Sequence, residues 1–307
     1  MIIWKKSAIL MISLKTSSMS VLILNKPKKL SSFKSLKVIQ NLLGLKKAGH
    51  AGTLDPLATG ILPIFFDRST KFIQYMPEQD KTYHAKFQLG CSSDTEDIEG
   101  NIIYHDSEQA PSLDNLKESV SSFIGSYQQK APLFSAKKVN GVAMYKLARK
   151  GIELEKRSQK VSIKSLELLS YSYPYFDIQA KVSRGTYVRT LGVDIADKLG
   201  CNCVLTDLCR TGFGTLKIKD AITIDTLKNL DNKEKMQYVM RVEEILKSIP
   251  KLNISSTEVK KFQNGLTFSV TKNEKKEKKL VFHKDEFIGI GEIGNEEKLR
   301  PIKLYKI

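Results

Sequence analysis

Residues 81–90 read KTYHAKFQLG. Tyr83, Ala85, Phe87 and Leu89 fall on one face of an extended chain, and Thr82, His84, Lys86 and Gln88 on the other. That period of two marks a strand with one dry and one wet side. Strands of parallel sheets are covered on both faces and read as continuous apolar runs, so this one points to antiparallel pairing. FDIQAKVS (176–183) alternates in the same way, while VLILN (21–25) and ILPIFF (61–66) read as short buried strands. KKVNGVAMY (137–145) carries the Asn-Gly signal of a tight hairpin.

Helical spacing separates these strands. Phe33, Leu36, Ile39 and Leu43 predict an amphipathic helix closed by Gly44. Leu113, Leu116, Val120, Phe123 and Ile124 predict a second, ended by Gly125, and Tyr187, Leu191, Ile195 and Leu199 a third, ended by Gly200. The mixture predicts an α+β fold with a mixed, mainly antiparallel sheet flanked by helices. After VMRVEEILKSIP (239–250), read as a helix, the chain changes character. LTFSV, KLVFH and FIGIGEI look like short strands around the charged run NEKKEKK (273–279), which places a boundary near Ser248. The division is then 1–20, an extension or an overcalled start ahead of Met11 or Met19; 21–247, the main domain; and 248–307, a small β-rich domain packed on it.

Fifty Lys and Arg against 33 Asp and Glu leave a net charge of +17 over 307 residues. Such a surplus suits a polyanion, nucleic acid first among them, though a merely solvated Lys-rich surface would look the same. Cys91, Cys201, Cys203 and Cys209 form no disulfide ladder and lack a CxxC pair, so neither a secreted scaffold nor a zinc site is expected. No apolar run reaches the length of a membrane span, and the expected setting is a reducing cytoplasm.

The loop GHAGTLDPLATG (49–60) holds one carboxylate, Asp55, among three glycines and beside Pro56. The proline keeps Asp55 out of the helical region and the glycines allow close backbone approach, so the carboxylate is presented from a fixed turn. That suits a nucleophile, and equally an Asx-turn in which Asp55 caps its own loop.

GHAGTLDPLATGILPI resembles the signature of the TruB family of tRNA pseudouridine synthases. NKPKKLSS (25–32), KTYHAKFQLG and SRGTYVRTLGVDIADKLG (183–200) resemble three further motifs of that family, in its order, over roughly two thirds of the chain. The resemblance implies a pseudouridine synthase core with a small RNA-binding, PUA-like C-terminal domain. It also implies isomerisation of the T-loop uridine, uridine-55 of tRNA, by base flipping, with no cofactor or metal. Asp55 would be the nucleophile, Tyr83 would stack on the flipped uracil and assist proton transfer, and Arg189 would pair with the aspartate. His50 would help displace the nucleotide, Tyr187 and Leu208 would line the base pocket, and Lys26 and Pro27 would support its wall. Without the family pattern, Tyr83 reads as a core residue, His50 as a loop hydrogen-bonder and Arg189 as a phosphate contact.

Two positions depart from the pattern: Asn25 stands where aspartate is frequent, and Cys209 interrupts a usual pair of arginines. The expected partner is the T-arm of tRNA, met by a monomer without an obligate protein partner. The alternative is a non-catalytic module that binds and refolds tRNA, against which stands the carboxylate, which a pure phosphate binder would not place there.

Overall fold

The computed structural model describes residues 19–76, 79–105, 109–132, 134, 138–139, 142–144, 158–270, 275–294 and 296–305. The expected extension lies outside them except for its last two residues, which already belong to β1 (Met19–Lys26). Helix α1 (Ser32–Leu42) follows, capped by the Ser31 hydroxyl, which accepts from the Lys34 amide at 3.1 Å. It buries Ser32, Ser35, Leu36 and Ile39. Phe33, read as part of that stripe, is 62% exposed, because it stands about 100° round the helix from Ser32.

Next come β2 (Ala48–His50), β3 (Thr59–Phe66), a 3-10 helix over Asp67–Tyr75 and β4 (Lys81–Leu89). In β4 the expected face is buried from Tyr83 to Leu89. A small hairpin, β5 (Cys91–Ser93) and β6 (Ile102–Tyr104), leads to α2 (Leu113–Ser122). This helix buries Leu116, Ser119 and Val120 and leaves Leu113 and Ile124, also read as apolar-face residues, exposed beyond its packed middle.

β7 (Gly125–Lys130) is followed by β8 (Lys138–Val139) and β9 (Val142–Ala143), which pair as the Asn-Gly signal predicts; that dipeptide itself lies outside the described residues. The long hairpin β10 (Ser158–Ser172) and β11 (Tyr175–Val182) precedes α3 (Val188–Asp197) and β12 (Cys203–Phe213). Short elements complete the domain: β13 (Leu216–Lys217), β14 (Ile222–Thr223), α4 (Ile224–Asn229), α5 (Asn232–Gln237), β15 (Val239–Arg241) and α6 (Val242–Ile245). The run from Val239 was expected to be one helix. Its first three residues instead pair antiparallel with β1, whose edge would otherwise stay open, and only one helical turn remains.

Among the described residues the main sheet runs β14-β1-β3-β12-β4-β11-β10-β7, with β2, β13 and β15 attached. Only the β1–β14 and β3–β12 pairs are parallel, so the sheet is mixed and mainly antiparallel. β4 lies between β11 and β12, which sets Tyr83 opposite Ala180 on one side and Arg210 on the other. β3, paired with β12 through Thr59 and Gly60, brings the end of the Asp55 loop to the same place.

The C-terminal sheet is built from β16 (Lys251–Asn253), β17 (Phe268–Ser269), β18 (Lys278–His283), β19 (Glu286–Ile293) and β20 (Lys298–Leu304), with α7 (Ser256–Gln263) beside it. One set of its side chains, with Phe262 and Val281 among them, forms a core of its own. Another set, Leu280, Phe282, Phe287, Ile290 and Tyr305, shares a core with Val21, Ile23, Phe65 and Phe72 of the main domain. Phe72 is the hinge of that contact, with its ring centroid 5.5 Å from Phe287 and 5.6 Å from Tyr305. Truncating this buried ring should cost about 3–5 kcal/mol. Urea unfolding of Phe72→Ala checks it, and a loss below about 1 kcal/mol would mean that the C-terminal sheet is held elsewhere.

Candidate active site

The Asp55 loop is fixed by side chains beneath it. The Ser32 hydroxyl lies 2.8 Å from both the amide and the carbonyl of Leu54, accepting from one and donating to the other. The Lys29 amide donates to the Pro56 carbonyl at 2.9 Å, and the Ala58 amide closes the turn on the Asp55 carbonyl at 3.1 Å. Lys26 is fully buried, with its ammonium on the carbonyls of Pro27 (2.8 Å) and Leu30 (2.6 Å) and 3.5 Å from that of Pro56. Burial pulls this ammonium down to about 8, against the opposing pull of Asp55 and Glu99. Arg210, also fully buried, donates from Nη2 to the Gly52 carbonyl at 2.7 Å and from Nε to the Ile61 carbonyl at 2.8 Å. Gly52 has φ +68°, and a Cβ there would come within 2.8 Å of the Phe213 ring.

So anchored, Asp55 remains 43% exposed while its partner is not: Arg189 is 5% exposed, with Nε 3.1 Å from Asp55 Oδ2. Nη1 of the same guanidinium lies 3.5 Å from Asp97 Oδ2 and donates to the Thr95 carbonyl, and Nη2 donates to the Phe134 carbonyl at 2.8 Å. Asp97 is itself fixed by the Thr95 hydroxyl (2.7 Å) and the Glu99 amide (3.0 Å). The start of α3, which carries Arg189, is held by the buried side chain of Gln129. Its Oε1 accepts from the Tyr187 amide (2.8 Å) and its Nε2 donates to the Tyr187 carbonyl (3.0 Å). Thr190 adds a 2.6 Å bond to Glu96.

A cleft of about 210 Å³ opens beside this pair and is lined by Asp55, Lys81, Tyr83, Tyr187, Arg189 and Leu208. Five of the eight expected site residues meet there. Tyr83 is both a buried core residue and a wall of the cleft. His50 lines a larger adjoining groove of about 920 Å³, which shares Asp55 and Arg189 with the cleft and adds Phe33 and Glu99. Lys26 and Pro27 line neither cavity and sit behind the loop.

Lys81, Asp97, Gln129 and Arg210 were not singled out by the sequence. Lys81 lies one full strand period before Tyr83, and the acidic run around Asp97 stands out in a basic chain; Arg210 is the remaining member of the interrupted arginine pair, and Gln129 gives no local signal. Burial first, then Arg210 and Arg184, pulls Lys81 to about 8. Burial, then the Asp97 and Asp55 charges, pushes Glu99 up. Where the resemblance leads one to expect two arginines after Leu208, this chain has Arg210, fully buried, and carries Cys209 at the half-buried position before it.

Burial and then Arg210 hold the His50 imidazole below its ordinary 6.5. In the unfolded chain His50 takes its proton near 6.5, and in the folded chain only at lower pH. Stability therefore falls as pH drops from about 6.5 through the folded value. Thermal melts between pH 7 and pH 5 should show His50→Gln with a shallower acid limb than the parent, and an NMR titration of His50 at or above 6.5 would contradict the assignment.

Residues 40–188 match the family model described as TruB family pseudouridylate synthase (N terminal domain), and residues 250–305 match Pseudouridine synthase II TruB, C-terminal. The chain is 34% identical over 290 residues to tRNA pseudouridine synthase B of Clostridium kluyveri, covering 93% of this chain and 99% of that one. It is 41% identical over 227 residues to the protein of that name from Francisella tularensis subsp. novicida, covering 73% and 75%. Among solved structures, the fold is similar to a chain of the archaeal box H/ACA sRNP Nop10-Cbf5 complex. The TM-score is 0.71 at 20% identity, over 96% of this chain and 88% of the other. With a mixed α+β core, a β-rich C-terminal domain and relatives above 30% identity along nearly its whole length, the chain belongs to the TruB family of pseudouridine synthases.

Proposed function

We propose that this enzyme of tRNA modification acts on the T-loop uridine, uridine-55, and that Asp55 is its nucleophile. The observation that carries the reading is the pair formed by half-exposed Asp55 and buried Arg189 at the mouth of a cleft whose walls include two tyrosines. The reaction breaks the bond from sugar C1′ to base N1, turns the base, joins C1′ to C5, moves the C5 proton off and leaves a proton on N1. It needs no redox partner. It needs a carboxylate that can form and release a covalent link to the nucleotide, which Asp55 supplies. Arg189 is locked by its other acceptors, so its fork orients the carboxylate without spending conformational freedom at the moment of reaction.

The target base lies within folded RNA and must be extruded at a cost of about a few kcal/mol, of which an aromatic platform returns about 1 to 3. Tyr83 and Tyr187 are the platform, with Leu208 closing the pocket. Tyr83 also takes part in removing the C5 proton. His50, on the neighbouring groove, works on the displaced nucleotide as a neutral ring. Lys26 and Pro27 brace the loop from behind. The T-arm of tRNA is the partner, met by a monomer in the cytoplasm. The C-terminal domain, residues 248–307, touches the same tRNA outside the T-loop through backbone charge, for which exposed Lys260 and Lys261 on α7 are placed.

Tritium release from carbon-5-labelled uridine in unmodified tRNA tests the chemistry. The parent should release label from uridine-55 and Asp55→Asn should release none; release by both would remove Asp55 from its role. Phosphate contacts test the binding: with six or more, tRNA affinity should fall by about 10³-fold between 50 and 200 mM salt. The double variant Lys260→Glu, Lys261→Glu should weaken binding and flatten that salt slope while the single-turnover rate at saturating tRNA stays the same. An unchanged affinity would take the C-terminal domain off the RNA.

A further inference from the structure

Among the described residues Arg210 is the largest side chain with no solvent exposure, and no carboxylate of theirs forms an ion pair with it. Burying a guanidinium costs several kcal/mol even after relaxation, and a buried arginine ordinarily meets a carboxylate. Here the acceptors are neutral: the Gly52 and Ile61 carbonyls, at 2.7 and 2.8 Å, and the Tyr83 hydroxyl, 3.5 Å from Nη1. The Phe213 ring lies behind, its centroid 5.2 Å from Cζ. A fold stores such an expense where it has a use for it.

The placement says what the use is. Gly52 and Ile61 flank the Asp55 loop on either side, so one side chain ties both ends. The backbone of Arg210 meets β3 at Gly60, where a Cβ would come within 2.3 Å of the Arg210 carbonyl oxygen, and meets β4 at Tyr83. The charge is felt at Lys81 on the cleft wall and at His50 on the adjoining groove, which it helps hold below their ordinary values. Because Nη1 donates towards Tyr83 Oη, the phenol's own O–H is left for the cleft. The 3.5 Å gap is the kind of long apo contact that tightens when substrate fills a site. Arg210 itself lines neither cavity.

We propose that Arg210 is a positioning residue for pseudouridine formation: it sets the Tyr83 phenol and the Asp55 loop in mutual register from behind the cleft, without touching the nucleotide. A lysine would keep the charge and lose the planar fork that reaches three acceptors at once.

This rests on the proposed reaction, whose own test is turnover by the parent; the comparison below is made among variants of an active parent. Single-turnover rates and tRNA dissociation constants are measured for Arg210→Lys, Tyr83→Phe and the double variant. The expectation is a rate loss of about 10-fold or more for Arg210→Lys, with affinity within about 2-fold of the parent. In the Tyr83→Phe background the same change should cost at least about 3-fold less, since the groups are coupled. A rate equal to the parent's, an affinity that falls in step with the rate, or losses that multiply fully would each overturn the proposal. If a thermal melt shows Arg210→Lys unfolded, Phe213→Leu takes its place: it removes the ring behind the guanidinium and leaves the fork intact. The same rate loss, unchanged affinity and coupling to Tyr83→Phe are expected of it.

Discussion

A guanidinium taken out of water must find its hydrogen bonds elsewhere, and Arg189 finds them on four groups from three parts of the chain. Two carboxylates, Asp55 and Asp97, and two carbonyls, of Thr95 and Phe134, absorb its donors. None of these could move away without leaving an unpaired buried donor, at about 1–3 kcal/mol or more for a charged group. The loop of Asp55, the hairpin around Asp97 and the start of α3 are thereby held as one piece. Gln129 extends the lock into β7 through the Tyr187 backbone.

Below this pair the loop rests on two buried cations, Lys26 and Arg210, that bond to its main chain and not to acids. Carbonyl oxygens satisfy a cation's hydrogen bonds without neutralising its charge. The floor of the site is therefore positive as well as rigid, and of the opposite charges Asp55 acts most strongly on Lys26. The rim is different in kind. Glu99 and Asp97 crowd the larger groove, so the field turns from positive at the cleft to acidic beside it. A polyanion approaching this surface meets attraction at the cleft and repulsion from the carboxylates beside it.

Much of the fold was legible because periodicity is a local property. The alternation of β4, the glycines that follow α1, α2 and α3, and the short strands of the C-terminal part all follow from neighbours in sequence. Where the reading failed, the deciding contact was distant. Phe33, Leu113 and Ile124 have the right spacing for a buried stripe, but nothing in their own helices says how far the covering surface extends. Val239–Arg241 became strand because β1 offers an edge, which no local pattern announces. The site divides the same way. Asp55, Tyr83 and Arg189 stand in motifs that suggest their parts, whereas the place of Arg210 beside Cys209 says nothing of its burial until β3 and β4 are laid on either side of it.

The core shared by the two sheets joins Val21 in the first described strand to Tyr305, the last described residue. Ribosomal synthesis at about 5–20 residues per second takes on the order of tens of seconds to pass between such distant points. For most of that interval Val21, Ile23, Phe65 and Phe72 have been made, and Leu280, Phe282, Phe287, Ile290 and Tyr305, which share their core, have not. The nascent chain must shield an apolar face that only its final strands can close, so a stalled ribosome or a late stop codon leaves an adhesive fragment where an earlier arrest would leave a short harmless one.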